Sequence, residues 1–381
     1  MARKANPIRL AIILWLLVGA FLFGITRGQF KIKTVDGIPV AMNGKIPDPP
    51  KGAATKLNLK KIFSLGKGET SENIFSDITD FTVHKNGTVF ILDRKEFCIK
   101  AFDPEGRFMF SFGKQGQGPG EFSQPVDILI SPDDEIIIND TFTGSLVFFD
   151  LKGKLLRTKS TIGARFPARI QMDARGNIVG NVAEPDGRGR LFIRLRAFDP
   201  DFHPKITLHS VEYPNIWSGK GRFNPFAVRL LYQMDDQGNM YIGSSSDYII
   251  RVYDRDGNQF KAIQREYDPV SISKEEKDEM AGSIPDATGT NLKEMLKYPD
   301  FYPPYGHFIL ADDGRILVQT YERGKTRKEL MWDVFDEEGR YIVRVPLTID
   351  LCVWQNGKAY GIEEDDNGQK ILRCFLARWE K

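Results

Sequence analysis

Six positions could bring charged groups to one place. Asp80, Asp127, Arg169, Leu231, His307 and Asp350 each stand seven residues ahead of a recurring turn position: Gly87, Asp134, Gly176, Gly238, Gly314 and Gly357. Five of the six are ionisable, in stretches that are otherwise apolar. Three carboxylates and an imidazole are donors that suit a divalent cation with oxygen-rich coordination. The same set also suits a structural network in which Arg169 neutralises the acids, or simply a solvated ring. The residues do not say which metal would be bound.

A second group sits in two long connections. The first, near 210–228, carries Tyr213, Trp217, Lys220, Arg222, Phe223 and Phe226. The second, near 265–306, opens on Ser273-Lys-Glu-Glu276, a capping-box pattern that predicts a helix. A second short helix is expected after Thr290-Asn291, running to Leu296. The connection ends in Tyr298-Pro-Asp-Phe301-Tyr302-Pro-Pro-Tyr305-Gly306-His307. Aromatics beside Arg and Lys on loops are typical of partner-binding surfaces. Each aromatic could instead pack its insertion onto the scaffold. The candidate ligand-binding set is therefore Asp80, Asp127, Arg169, Trp217, Arg222, Phe301, Tyr305, His307 and Asp350.

The elements that position these residues follow from an internal repeat. Residues 80–113 read as four short strands with turns at Asn86-Gly87 and Glu105-Gly106, and the next segment repeats the pattern through Lys152-Gly153. Successive first turns lie 47, 42, 62, 76 and 43 residues apart. The second turn recurs at Gly106, Gly153, Gly257 and Gly339, and the third unit substitutes Asp199-Pro-Asp-Phe202. Six units of four strands predict an all-β, six-bladed β-propeller over 57–381. The sixth unit lacks an outer strand, and Leu57–Leu65 is an orphan strand ahead of the first. It is expected to complete the last blade and so close the ring. In such a ring the first strand of each unit lines the central channel, so the charged positions should converge on one mouth. Both long connections should enter the same face.

Gly116-Gln-Gly-Pro-Gly-Glu-Phe122, Pro125, a hairpin ending in Asp140, then Val147-Phe-Phe-Asp150 and Gly153 resemble an NHL-repeat unit. The resemblance is good in blades one and two and fades in blades three to six. It includes exported bacterial six-bladed propellers with an N-terminal anchor. It implies fold far more than function, since such propellers include binding modules, amidating lyases and lactonase relatives. The lyase relatives use several channel histidines on zinc, and only His307 stands at such a position here. The Glu, Asn and Asp set of the lactonases has no match. Gly116–Gly120 is a blade-linking loop, since it lacks the Gly-Lys-Ser/Thr ending of a phosphate loop.

Leu10–Thr26 is an apolar run flanked by Arg3, Lys4, Arg9 and Arg27. It reads as one transmembrane helix within an anchor at 1–27, with the basic flank cytoplasmic and the rest extracytoplasmic. A cleaved signal peptide is the alternative, although Phe21–Gly28 is a poor cleavage site. Residues 28–56 are rich in Gly, Pro and Lys and read as a flexible linker. Near-balanced charge, 53 basic against 51 acidic residues, gives no reason to expect nucleic-acid binding. Four His and three Cys exclude a Cys-rich zinc module or a disulfide scaffold. Cys98, Cys352 and Cys374 are expected as free thiols.

The functional expectation is a membrane-anchored extracytoplasmic propeller that binds a protein, peptide or glycan. It needs no cofactor beyond a possible divalent cation and is more binding module than enzyme. The alternative is a metal-dependent lyase or lactonase with its site at the channel mouth.

Overall fold

The structure, a computed structural model, describes residues 30–66, 75–162, 167–213, 229–282, 297–365 and 367–381, together with Asn224 and Phe226. Six sheets, each built on four antiparallel strands, form the blades of a propeller. Blade one is β4 (Ile78–Val83), β5 (Val89–Asp93), β6 (Cys98–Phe102) and β7 (Phe108–Phe112). Blade two is β8 (Pro125–Ile130) through β11 (Leu155–Ser160), and blade three is β12 (Ala168–Met172) through β15 (Pro204–Tyr213). Blade four contains β16 (Leu230–Met234) through β19 (Gln259–Arg265), and blade five β20 (His307–Leu310) through β23 (Tyr341–Leu347). The second strands β5 and β9 (Ile136–Asp140) are buried along their whole length, because blades cover them on both faces. The core is a series of clusters between neighbouring blades. One packs Phe90, Leu92 and Ile99 of blade one on Ile128, Ile136 and Ile138 of blade two.

The turns explain the repeat. All six first-turn positions have positive φ, including Asp134 at 60°. The second turns do too, and at Asp199-Pro-Asp-Phe202 it is Phe202, at 66°, that takes the left-handed place. Glycine suits these second turns for a further reason. A Cβ on Gly106, Gly153 or Gly257 would run into Phe63, Phe112 or Ile206, each on the outer strand of the preceding blade. Phe202 departs from that rule and instead inserts its ring among Leu146, Phe148, Ile170 and Ile178 at the seam with blade two.

Blade six closes as expected. Its strands β24 (Asp350–Gln355), β25 (Lys358–Glu364) and β26 (Lys370–Glu380) are followed in space by β3 (Lys56–Leu65). The β3–β26 pairing is antiparallel and runs from Leu65↔Leu372 to Lys56↔Glu380. The two ends of the described propeller thus share one sheet.

The linker expected over 28–56 is corrected. Its described part is ordered structure and wraps blades four and five. Strands β1 (Lys31–Val35) and β2 (Ile38–Asn43) form a hairpin turning at Asp36-Gly37. Strand β2 adds in parallel to β19, so blade four carries six strands. Val40, Ala41 and Asn43 are buried. Asn43 donates from Nδ2 to the carbonyls of Gln264 (3.0 Å) and Gly339 (2.9 Å), while its Oδ1 accepts from the Tyr341 amide (2.7 Å). One side chain therefore fastens the strap across the seam between blades four and five. That seam also buries Asp333, which pairs with Arg265 (2.9 Å) and Arg344 (2.7 Å) and accepts from Tyr248 (2.6 Å) and Tyr341 (2.9 Å). Gly and Pro misled the sequence reading because here they make a hairpin turn and its flanks.

Removing residues 30–52 should lower the unfolding midpoint, as loss of a true linker would not. Asn43→Ala should cost about 2 kcal/mol or more, because it leaves a buried amide and two carbonyls unpaired. Urea titration of the truncated, substituted and parent chains measures both.

Candidate functional site

The six ring positions come together. Asp80, Asp127, Arg169, Leu231, His307 and Asp350 all line one cavity of about 720 Å³ on the propeller axis. Each lies at or near the start of its inner strand, so the channel wall inherits the register of the repeat. Inside this wall the polar groups bridge neighbouring blades. Asp80 of blade one accepts from the Ile128 amide of blade two (2.9 Å). Asp127 of blade two accepts from the Arg169 amide of blade three (3.0 Å) and from Asn139 Nδ2 (2.9 Å). The Arg169 carbonyl accepts from the Tyr232 hydroxyl of blade four. His307 of blade five reaches the Leu351 carbonyl of blade six (2.9 Å) and Asp350 Oδ1 (3.2 Å). Gln319 of blade five donates to Asp350 (2.9 Å).

Electrostatics follow from this wall. Burial pushes the Asp80 carboxyl up to about 7; the Ile128 amide opposes that shift and the charge of Asp127 adds to it. Burial also raises Asp127, opposed by its bonds from Asn139 and from the Arg169 amide. A carbonyl can only accept, so the bond to Leu351 places the His307 proton on Nε2. Burial raises the Cys352 thiol to about 12, which makes it a poor nucleophile.

The divalent-cation reading is not supported by this geometry. The oxygens of Asp80 and Asp127 are turned onto neighbouring amides, and His307 and Asp350 are turned onto each other. Among the described residues no three His, Cys, Asp or Glu side chains are placed to hold a metal ion. The ring is a polar seal between blades.

Two guanidiniums are different. Arg169 and Arg229 are exposed and line the cavity, and neither forms an ion pair with a carboxylate among the described residues. Arg169 also has a φ of 54°, unusual for a residue with a side chain, and is held there by the Asp127 and Tyr232 bonds. Gln171, Gln233, Gln319 and Tyr321 complete the polar lining. Arg229 was missed in the sequence because it stands two residues ahead of the aligned position. Gln319 was missed because it lies on a second strand, β21 (Ile316–Arg323). A search of neighbouring register positions for polar residues would have found both.

The connections are resolved in part. Helix α1 (Lys274–Gly282) begins with the expected box, Ser273 N donating to Glu276 (2.9 Å) and Glu276 N to Ser273 Oγ (3.1 Å). The expected second helix, Trp217 and Arg222 lie outside the described residues. Phe301 is 51% exposed. Tyr305 is corrected: it is 1% exposed and belongs to the core. Its ring packs between Tyr248 and Phe308 and over Gly243, where any Cβ would collide with its hydroxyl. Tyr302 stacks on Tyr321 at 4.5 Å, with Phe226 edge-on to both, so these aromatics fix the insertions beside the cavity. The three cysteines are free.

Comparison with known proteins agrees on the fold. A family model described as a 6-bladed beta-propeller, DUF5128, matches residues 57–162. That stretch is the closing strand and the first two blades. Their β5 and β9 end in buried Asp93 and Asp140, each of which accepts from four backbone amides. A solved protein described as exported, from Bacteroides fragilis, is 11% identical over 90% of this chain and all of its own, with a TM-score of 0.53. A DUF4221-family structure from Bacteroides vulgatus is 12% identical over 86% of this chain and all of its own, at 0.51. Protein brain tumor of Drosophila melanogaster is 23% identical over 133 residues, 34% of this chain. The match spans 13% of that relative's length.

The raised Asp80 carboxyl makes stability pH-dependent. Its folded form holds the proton up to about pH 7, whereas the ordinary value is 3.8. The stabilisation is complete below about pH 4 and is lost as pH rises through about 7. Asp80→Asn should therefore raise the melting temperature more at pH 8 than at pH 5. Equal shifts at both values would show that Asp80 ionises normally.

Proposed function

We propose that this protein is a membrane-anchored extracytoplasmic binding module, not an enzyme, of the kind its NHL-like repeats resemble. Its ligand is a peptide, protein segment or glycan that brings a carboxylate into the channel mouth. One observation carries the reading: among the described residues Arg169 and Arg229 are exposed in the cavity with no carboxylate at ion-pair distance, while the neighbouring acids are occupied by amides and by His307. Guanidinium forks suit carboxylates, and glutamines and a tyrosine beside them supply the adaptable hydrogen bonds that peptide and sugar groups need. The anchoring part rests on the apolar run Leu10–Thr26, which lies outside the described residues. Among the described residues no helix is long and apolar enough to cross a membrane. No observation favours the metal-dependent lyase or lactonase alternative, because Asp80 and Asp127 are turned onto backbone amides and His307 and Asp350 onto each other.

Isothermal titration with oligoglutamate peptides and uronate oligosaccharides, against neutral counterparts, tests the reading. An acidic probe should bind, and Arg169→Gln with Arg229→Gln should weaken it about tenfold or more while the melting temperature stays close to the parent's. Equal binding of neutral probes, or no effect of the double substitution, would refute the role of the two arginines.

A further inference from the structure

The strap does more than close a seam. Phe30 is already fixed, with its amide on Asp48 (3.1 Å) and the Arg340 guanidinium 4.2 Å from its ring centre. Immediately after it, β1 is exposed at every residue. Ile32 is 59% and Val35 48% exposed, and Lys31 and Lys33 make no ion pair among the described residues. Strand β1 is also the outermost strand of the six-stranded sheet, so it lies on the rim of the propeller with one edge unpaired. An exposed edge mixing Ile, Val and Lys needs a reason.

The chain ahead of it supplies one. The apolar run ends at Thr26, and only Arg27, Gly28 and Gln29 separate it from Phe30. Three residues span at most about 11 Å when fully extended. An anchor that ends at Thr26 therefore holds β1 at the bilayer surface, with no slack for the propeller to swing away. Lys31, Lys33 and Arg27 suit anionic headgroups, and Ile32 and Val35 suit the boundary beneath them. A second copy is a poorer occupant, because antiparallel pairing of two β1 strands about Lys33 would set like charges opposite each other.

We propose that the rim formed by Lys31, Ile32, Lys33 and Val35 is a phospholipid-contact surface that holds the propeller side-on to its own membrane. Because β1 is on the rim, the channel axis then lies along the bilayer plane, and the mouth with Arg169 and Arg229 opens sideways. This rests on the anchor reading above.

The test uses the full chain in vesicles containing anionic phospholipid and, separately, in detergent. Ile32→Cys is labelled with a membrane-impermeant maleimide, with Met109→Cys on the outer strand of blade one as control and the parent chain as background for its native thiols. Labelling at position 32 should be about fivefold slower or more in vesicles than in detergent, and labelling at position 109 should not change. Lys31→Glu with Lys33→Glu should restore much of the rate at position 32. Free labelling at position 32 in chains that float with the vesicles would overturn the surface while leaving the anchor standing. Chains that fail to float would overturn both. Slow labelling that persists in detergent and grows with protein concentration would overturn the proposal in favour of pairing between copies.

Discussion

Every blade of this protein depends on the pairing of β3 with β26. A blade buries its second strand only when another blade stands on each side, so an open ring would expose two faces of apolar strand. The contact that prevents this joins residues 56–65 to 370–380, at opposite ends of the propeller. Nine residues of β3 pair with β26, which makes the closure part of a sheet. The polar seal inside the channel acts on the same constraint from the axis. Asp80, Asp127, Tyr232, His307 and Gln319 each reach across to a neighbouring blade. Their polar groups hold blades in register, whereas the Arg169 and Arg229 side chains stand exposed in the cavity.

Much of this was legible in the sequence, because a propeller repeats its stereochemistry. A left-handed residue is needed at each first turn, and seven residues before it the chain returns to the channel. That spacing alone located the wall of the cavity. Asp93 and Asp140 gave blades one and two a recognisable signature, because each carboxylate collects four amides from loops that are adjacent only in this fold. Blade four has Ser244 at the end of its second strand, whose hydroxyl meets, among the described residues, only Ser246, and the resemblance fades accordingly.

What was not legible depended on fit between distant residues. Tyr305 has the composition of a surface anchor, and only the glycine at 243 reveals that a ring can lie flat on that strand. Residues 30–56 have the composition of a linker, yet Asn43 finds partners more than 200 positions away. The charged ring was placed correctly, but residue types alone left its structural, solvated and metal-binding readings open. A list of residue types cannot say whether a carboxylate faces an ion or a neighbouring amide, and here backbone amides occupy them.

The strap has a consequence for how the chain is made. Residues 30–65 are made before any of the blades they complete. Their partners, Gln264, Gly339, Tyr341 and the whole of β26, are made more than 200 residues later. Blades one to three can form in sequence as they appear, since each pairs with itself and with its predecessor. The closing strand must wait, with β3 unpaired, until β26 has been made. Ring closure thus waits for β26, and a chain lacking that strand has no way to seal.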